Sequence, residues 1–349
     1  MKPFRLIVII LLLTPLGVYA ESLRILNWED YLHPKVIEAW EHETNVRIEE
    51  VYFDSDEVRD EILNDASSGN IDIAVVDEAV SELFGEKGKI AKLDEANISN
   101  LRHIDPFWKK ACGQYTVPYM WGTLGIGYRS DKVKQPPISW QALLEPDQAM
   151  QGHIGMLDDY RDMLAPALFV LGHSLNTDNE NELKAAFEYL KQQAPAVLTY
   201  EYAITLANSQ HEDFGQLHMA LLYGGDQHVI NEITGKPGLW KYAVPHEGTI
   251  LWVDCMAAIQ DSPRKEIAVQ FIDFLNRPDI AALNAESLGF GTPNKSAVRH
   301  MSDAYRSDQA VFPSQDILDR SQQYTVLDKN NIVLRKRITG AIRQIHESR

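Results

Sequence analysis

Apolar positions along the chain form short extended runs separated by stretches at helical spacing. Residues 23–26 read as a short apolar strand, residues 34–43 as a helix opened by Pro34, and residues 46–53 as a second strand. Val58, Ile62, Leu63 and Ala66 then recur at helical spacing, and residues 71–76 are an uninterrupted apolar run of the kind a parallel sheet buries on both faces. This order predicts a βαβαβ start, hence an α/β sheet with right-handed crossovers whose ligands settle at the carboxyl ends of the strands. Asn27, Trp28, Glu29, Asp30 and Tyr31 would follow strand one, and Asp77 and Glu78 strand three, so both sets would face one crevice. Leu183, Ala186, Phe187 and Leu190 mark a later helix, and Ile267, Phe271, Phe274 and Leu275 another that Pro278 terminates. Extended segments lie at residues 217–223 and 250–253, and residues 331–349, with Arg335, Lys336, Arg337 and Arg343, predict a solvated basic terminal helix.

The beginning of the chain changes where this fold must work. Lys2 and Arg5 precede an apolar run over residues 6–13, and Val18-Tyr19-Ala20 supplies a small-residue ending. The expectation is a cleaved secretory signal peptide over residues 1–20, a mature chain that starts at Glu21, and a periplasmic location. The apolar run is too short to span a bilayer, and the absence of Cys at position 21 argues against a lipid tether. What remains of the 349 residues suffices for two α/β lobes. With no Gly/Ser linker between them, the chain is expected to cross from lobe to lobe more than once on short ordered segments, making a hinge. Cys112 and Cys255 are expected as separate buried thiols, since their spacing in sequence says nothing of their approach in space.

Charge narrows the partner class. The formal net charge is −17 at pH 7, and the leader carries only positive charges, so the mature chain is more acidic still. Such a field repels nucleic acid and concentrates small cations near any carboxylate-lined cleft. Catalytic signatures are missing: there is no Gly-x-Ser-x-Gly elbow, no His-Glu-x-x-His helix and no Gly-Lys-Ser/Thr phosphate loop. His211-Glu212-Asp213 and His246-Glu247 sit in polar stretches that read as surface, so neither a metal site nor a cofactor is expected, and Gly289-Phe290-Gly291-Thr292-Pro293 reads as a turn.

What the chain offers instead is carboxylates beside aromatic residues: Trp28-Glu29-Asp30-Tyr31, Asp77-Glu78, Asp158-Asp159-Tyr160-Arg161-Asp162, Tyr223 with Asp226, and Trp252-Val253-Asp254. Together they suit a slender chain of methylenes bearing several ammonium groups. A ring face attracts a cation by about 0.5–2 kcal/mol and buries methylenes at about 0.8 kcal/mol each. Carboxylates take the ammonium hydrogens in charge-assisted bonds, and because an unpartnered buried ammonium costs several kcal/mol, their count and spacing select ligand length. Two alternatives stay open: a secreted hydrolase using Asp159 and Asp254 as acid and base, and a receptor for another cationic solute such as a basic amino acid or thiamine.

Five segments in order, namely Asn27-Trp28-Glu29-Asp30-Tyr31, Val117-Pro118-Tyr119-Met120-Trp121-Gly122, Leu157-Asp158-Asp159 with Asp162, Leu251-Trp252-Val253-Asp254 and Gly289-Phe290-Gly291-Thr292-Pro293-Asn294, carry a resemblance over nearly all of the mature chain. The chain resembles the bacterial periplasmic spermidine/putrescine-binding proteins. The resemblance implies an α/β two-lobed periplasmic binding protein of type II with a hinge and a ligand crevice between lobes. Lobe one is then expected over residues 21–123 and 254–300, and lobe two over residues 124–253 and 301–349. It further implies that Trp28 and Tyr31 help form the groove with Glu29, that Asp159 and Asp162 bind one ammonium region, that Tyr223 holds an aromatic wall position usually given to Trp, and that Trp252 stacks while Asp254 pairs with an inner amine. Asp162 stands where the family often has Glu, one methylene longer, and a C-terminal polar contact falls near residues 322–324. After strand three, transport-type relatives show a Ser-Thr-Tyr-like run where this chain has Asp77-Glu78-Ala79. That change implies altered recognition of one terminal amine, suited to norspermidine or spermidine, and tilts the reading towards the similar norspermidine-sensing proteins. These report to a membrane enzyme of cyclic-di-GMP turnover and govern biofilm formation. A non-enzymatic monomer reporting to such a sensor, or alternatively to an ABC permease, is the resulting expectation.

Overall fold

The computed structural model describes residues 21–53, 55–65 and 70–348, so the expected leader at residues 1–20 and Ala66 lie outside the described residues. Among the described residues nine strands form one sheet: β1 (Ser22–Asn27), β2 (Arg47–Tyr52), β3 (Ile73–Asp77), β4 (Val117–Arg129), β5 (Ile154–Gly155), β6 (Val197–Thr199), β7 (Met219–Tyr223), β8 (Trp240–Ala243) and β9 (Leu251–Ala258). Their order is β2-β1-β3-β9-β4-β7-β5-β6, with β8 also paired to β4. The expected βαβαβ start is present. β1 runs parallel to β2 and β3, joined by the helices Pro34–Thr44 and Asp56–Asn64. Ile73 to Val76 are all buried, as their unbroken apolar run demands.

β4 explains how one sheet serves two cores. Its first half, Val117 to Thr123, pairs with β9, and its second half, from Leu124, pairs with β7 and β8. Apolar side chains divide at the same point. Leu23 through Trp121, together with Leu251, Val253 and the helix Lys265–Leu275, fill one core, whereas Leu124 through Leu221, with Ile250, fill another. The crossing strands are tied to each other: Leu124 N–H donates to Ile250 O (3.2 Å), Gly224 N–H to Thr123 O (2.8 Å), and the Thr249 hydroxyl to Leu124 O.

Three expectations are corrected. Cys112 and Cys255 are not separate thiols but a disulfide, with Cα atoms 5.8 Å apart, which fastens the end of the helix Pro106–Cys112 to β9. Pro118 stands opposite Cys255 in the β4–β9 register, which brings the helix that precedes β4 beneath the strand. Pro278 does not end the helix of Phe271 and Leu275; that helix stops at Leu275, and Pro278 opens the next one, Pro278–Leu288, at a position where its missing N–H costs nothing. The terminal helix, Lys329–Glu347, is not simply solvated: Ile338 and Ile342 join the second core, and Arg335 is wholly buried with donors to Leu175 O (2.9 Å), Thr177 O (3.0 Å) and Asn331 Oδ1 (2.6 Å). Among the described residues no helix is long and apolar enough to cross a membrane.

Candidate functional site

Strand direction collects the candidate residues. β1 and β3 end together, and β9, antiparallel to β3, begins there, so Asp77 stands opposite Asp254 in register and the residues after Asn27 lie at the same edge. In the other core β5 and β7 are parallel, which brings Asp159 and Asp162, a few residues beyond Gly155, to the end where β7 delivers Tyr223. β9 and the second half of β4 place these two edges face to face. The result is a seam at which rings from both cores meet: Tyr31 packs edge-on to Phe290 (centroids 5.2 Å), Phe290 to Trp252 (5.6 Å), Trp252 to Tyr223 (6.5 Å) and Tyr223 to Tyr202 (6.3 Å). Two glycines make it possible. A Cβ at Gly122 would overlap the Trp252 indole, and Gly225, at φ +112°, would place one 2.7 Å from Phe290.

Carboxyl groups punctuate this aromatic run. Asp254 accepts from the Tyr31 hydroxyl (2.7 Å), while Tyr31 O in turn accepts from Tyr119 (2.6 Å). Burial raises the Asp254 carboxyl to about 7, with Asp56 and Asp77 adding repulsion and the Tyr31 hydroxyl and Arg59 opposing. Asp162 accepts from both the Tyr223 and the Tyr324 hydroxyls, the latter at 2.6 Å, and burial with repulsion from Asp159 also raises it to about 7. Asp159 turns inward to its own loop, its Oδ1 accepting from Arg161 N–H (2.7 Å) and Asp162 N–H (2.9 Å), and so fixes where Asp162 points. Asp226, buried behind the wall and raised to about 7 by desolvation, accepts from the Tyr202 hydroxyl (2.5 Å) and Tyr223 N–H (2.8 Å). Burial and the neighbouring carboxylates push the Tyr31, Tyr202, Tyr223 and Tyr324 hydroxyls upward, so each stays a neutral donor.

The remaining candidates are placed differently. Trp28 is half-buried against Phe53 (centroids 4.3 Å), whereas Glu29 is exposed. Asp77 caps the helix Glu78–Glu86 through Val80 N–H (3.0 Å) and gives its other oxygen to Arg59 (3.0 Å). Glu78 is half-buried, and desolvation together with Asp77 and Asp254 raises its carboxyl to about 8.

Four participants were given no individual role by sequence reasoning. Phe290 lies in the stretch read as a turn, and Tyr324 lies in the stretch around residues 322–324 that offered no secure position. Arg161 is stacked between Tyr160 (5.3 Å) and Tyr324 (5.0 Å), and its charge opposes the rise that burial imposes on the carboxyls of Asp56 and Glu78 in the facing edge. Arg59, at helical spacing in an acidic stretch, showed no sign of being interior. Both arginines stand among acidic residues in sequence, a pattern that a solvated guanidinium shares. No group of three metal-ligating side chains occurs among the described residues.

Residues 35–313 match the family described as bacterial extracellular solute-binding protein. The chain is 34% identical to a norspermidine sensor of Vibrio cholerae over 95% of its own length and 91% of that protein's. It is 29% identical to the spermidine/putrescine-binding periplasmic protein of Escherichia coli, with 86% of each covered. Among solved structures, the spermidine/putrescine ABC transporter substrate-binding protein PotD of Streptococcus pneumoniae matches 94% of this chain and 100% of its own at a TM-score of 0.81 and 23% identity, a likeness of fold.

Proposed function

The chain belongs to the family of bacterial extracellular solute-binding proteins, and from that premise we propose that it is a periplasmic receptor that closes on a polyamine of the norspermidine or spermidine kind. One observation carries this reading: a continuous run of rings drawn from two cores, Tyr31, Phe290, Trp252 and Tyr223, bounded by carboxyls whose burial has raised them to about 7, Asp254 on one side and Asp162 on the other. Rings cover methylenes and ammonium groups alike, and a buried carboxyl held back from ionising is stabilised by an arriving ammonium. Trp28 and Trp252 form the walls of the slot, Tyr31 and Tyr223 orient the carboxyls, Asp254 and Glu78 take amines on the first lobe, and Asp162, positioned by Asp159, takes one on the second. In this reading the lobes meet between Thr123 and Leu124 of β4, and again between Ile250 and Leu251 rather than at the expected 253–254, because Leu251 and Val253 pack with the first core. Binding favours the closed state because only that state completes both sets of contacts.

The likeness to a norspermidine sensor over almost the whole chain supports a role in reporting ligand to a membrane signalling protein. The spermidine/putrescine-binding relatives support delivery to an importer as the second reading. Calorimetric titration of the purified protein with norspermidine, spermidine and putrescine tests the binding claim. Saturable binding with ligand recovered unchanged is expected; turnover would point to the acid–base hydrolase, and a preference for basic amino acids or thiamine to another solute. Uptake of labelled spermidine by cells lacking the protein separates the roles, since unchanged uptake supports signalling.

A further inference from the structure

The first-lobe edge of the crevice already contains a cation. Arg59, on the helix Asp56–Asn64, is 1% exposed although it lies among charges. Its Nη1 donates to Asp56 Oδ1 (2.7 Å), its Nε and Nη2 to Asp60 Oδ1 (2.9 and 2.8 Å), and its Nη2 also to Asp77 Oδ2 (3.0 Å). The guanidinium is 5.9 Å from the Phe53 ring centroid, and Phe53 packs against Trp28, so the cation is seated beside the ring pair that contains Trp28, the wall residue of the proposed slot. Asp77 stands opposite Asp254 in the β3–β9 register, on the same face of the sheet. Yet the two carboxyls are engaged differently. Among the described residues Asp254 accepts its side-chain hydrogen bond from a neutral hydroxyl, that of Tyr31, whereas Asp77 has one oxygen on Val80 N–H and the other on a buried guanidinium. An ammonium arriving at Asp77 would compete with a charge-assisted bond whose donor cannot leave, because a buried guanidinium stripped of a partner costs several kcal/mol.

We propose that Arg59 is a built-in cation of the crevice, which fills the place beside β3 that a ligand ammonium would otherwise take, withdraws Asp77 from ligand recognition, and thereby limits how many amines the first lobe accepts. Arg59 is a positioning residue: it sets specificity through Asp77 without touching the ligand. This inference rests on the polyamine reading and goes beyond it by naming what counts the amines.

The test compares norspermidine, with three amines, and spermine, with four, by calorimetry on the full mature chain and on two variants. Arg59→Met frees Asp77 and is expected to raise the spermine-to-norspermidine affinity ratio by about tenfold, the scale of one added partly buried charge pair. Arg59→Lys keeps a cation in place and is expected to leave that ratio within about twofold. A merely structural role would lower thermal stability in both variants and leave the ratio unmoved, which overturns the proposal. Should Arg59→Met not fold, Asp77→Asn supplies the second arm: norspermidine affinity within about twofold of the parent supports the proposal, and a loss of about tenfold or more overturns it, because Asp77 would then be a direct acceptor. If the parent protein binds neither amine, the polyamine reading itself fails; if the parent binds and the variants keep its ranking, only the role of Arg59 falls.

Discussion

At the scale of single residues, the carboxyls of the seam are held where folding alone would not keep them. Asp254 is raised to about 7 by desolvation, so at neutral pH and above its ionised form is a cost to the free protein, offset only in part by the Tyr31 hydroxyl and the more distant charge of Arg59. Asp254→Asn separates binding from stability. Asn keeps an acceptor for Tyr31 and loses the charge, so the variant is expected to be about as thermostable as the parent near pH 4 and more thermostable at pH 7. Its polyamine affinity should fall by about 2–5 kcal/mol because a desolvated ammonium loses its counter-charge. Calorimetry paired with thermal melts at both pH values checks this; unchanged affinity removes Asp254 from the slot.

At the scale of elements, what was legible in the sequence follows from periodicity, and what was not follows from contacts between distant segments. The runs at residues 71–76 and 217–223 mark β3 and β7 because strands buried on both faces are apolar throughout, and Trp252 and Asp254 were visible because they alternate on β9 with buried Val253. Arg59 and Arg335 could not be recognised as interior, since nothing local distinguishes a buried guanidinium from a solvated one; beside their partners on the same helix, Asp56 and Asp60 or Asn331, each has distant ones, Asp77 of β3 in one case and residues 175 and 177 in the other. The disulfide was hidden for the same reason. Cys112 and Cys255 are 143 residues apart and meet only because Pro118 pairs opposite Cys255. This bond fastens the strand that carries Asp254 to the helix before β4, and closing so long a loop in the unfolded chain gives a cross-link of this kind about 2–5 kcal/mol. Replacing both cysteines by serine is therefore expected to lower the melting temperature, with reducing agent destabilising the parent but not the variant. Equal melting of the parent with and without reductant, once thiol titration shows the bond cleaved, would assign it no stabilising part.

At the scale of the whole molecule, the raised carboxyls make binding and protonation one equilibrium. Asp162 and Asp254 lie near 7 and Glu78 near 8, all above the values an unfolded chain would give them, with Arg59 and Arg161 the cations that face them. A group raised in this way holds its proton in the folded protein over a range where the unfolded chain has released it. The stability it contributes is complete below the unfolded value near 4 and is lost as pH climbs through about 7 to 8, so the free receptor should melt at progressively lower temperature across that window. The ligand reverses the balance. Its amines stay charged until about pH 10, and an ammonium seated on Asp254 or Asp162 stabilises the ionised form and expels the proton. Affinity is then expected to rise between about pH 6 and 8 while the free protein weakens, and each bound polyamine should release on the order of one to two protons at pH 7. Titration in two buffers of different ionisation enthalpy reads that number directly from the difference in observed heat. Heats that do not depend on buffer would mean that the carboxyls are already ionised before the ligand arrives, and the buried seam between the two cores would then not be where the amines go.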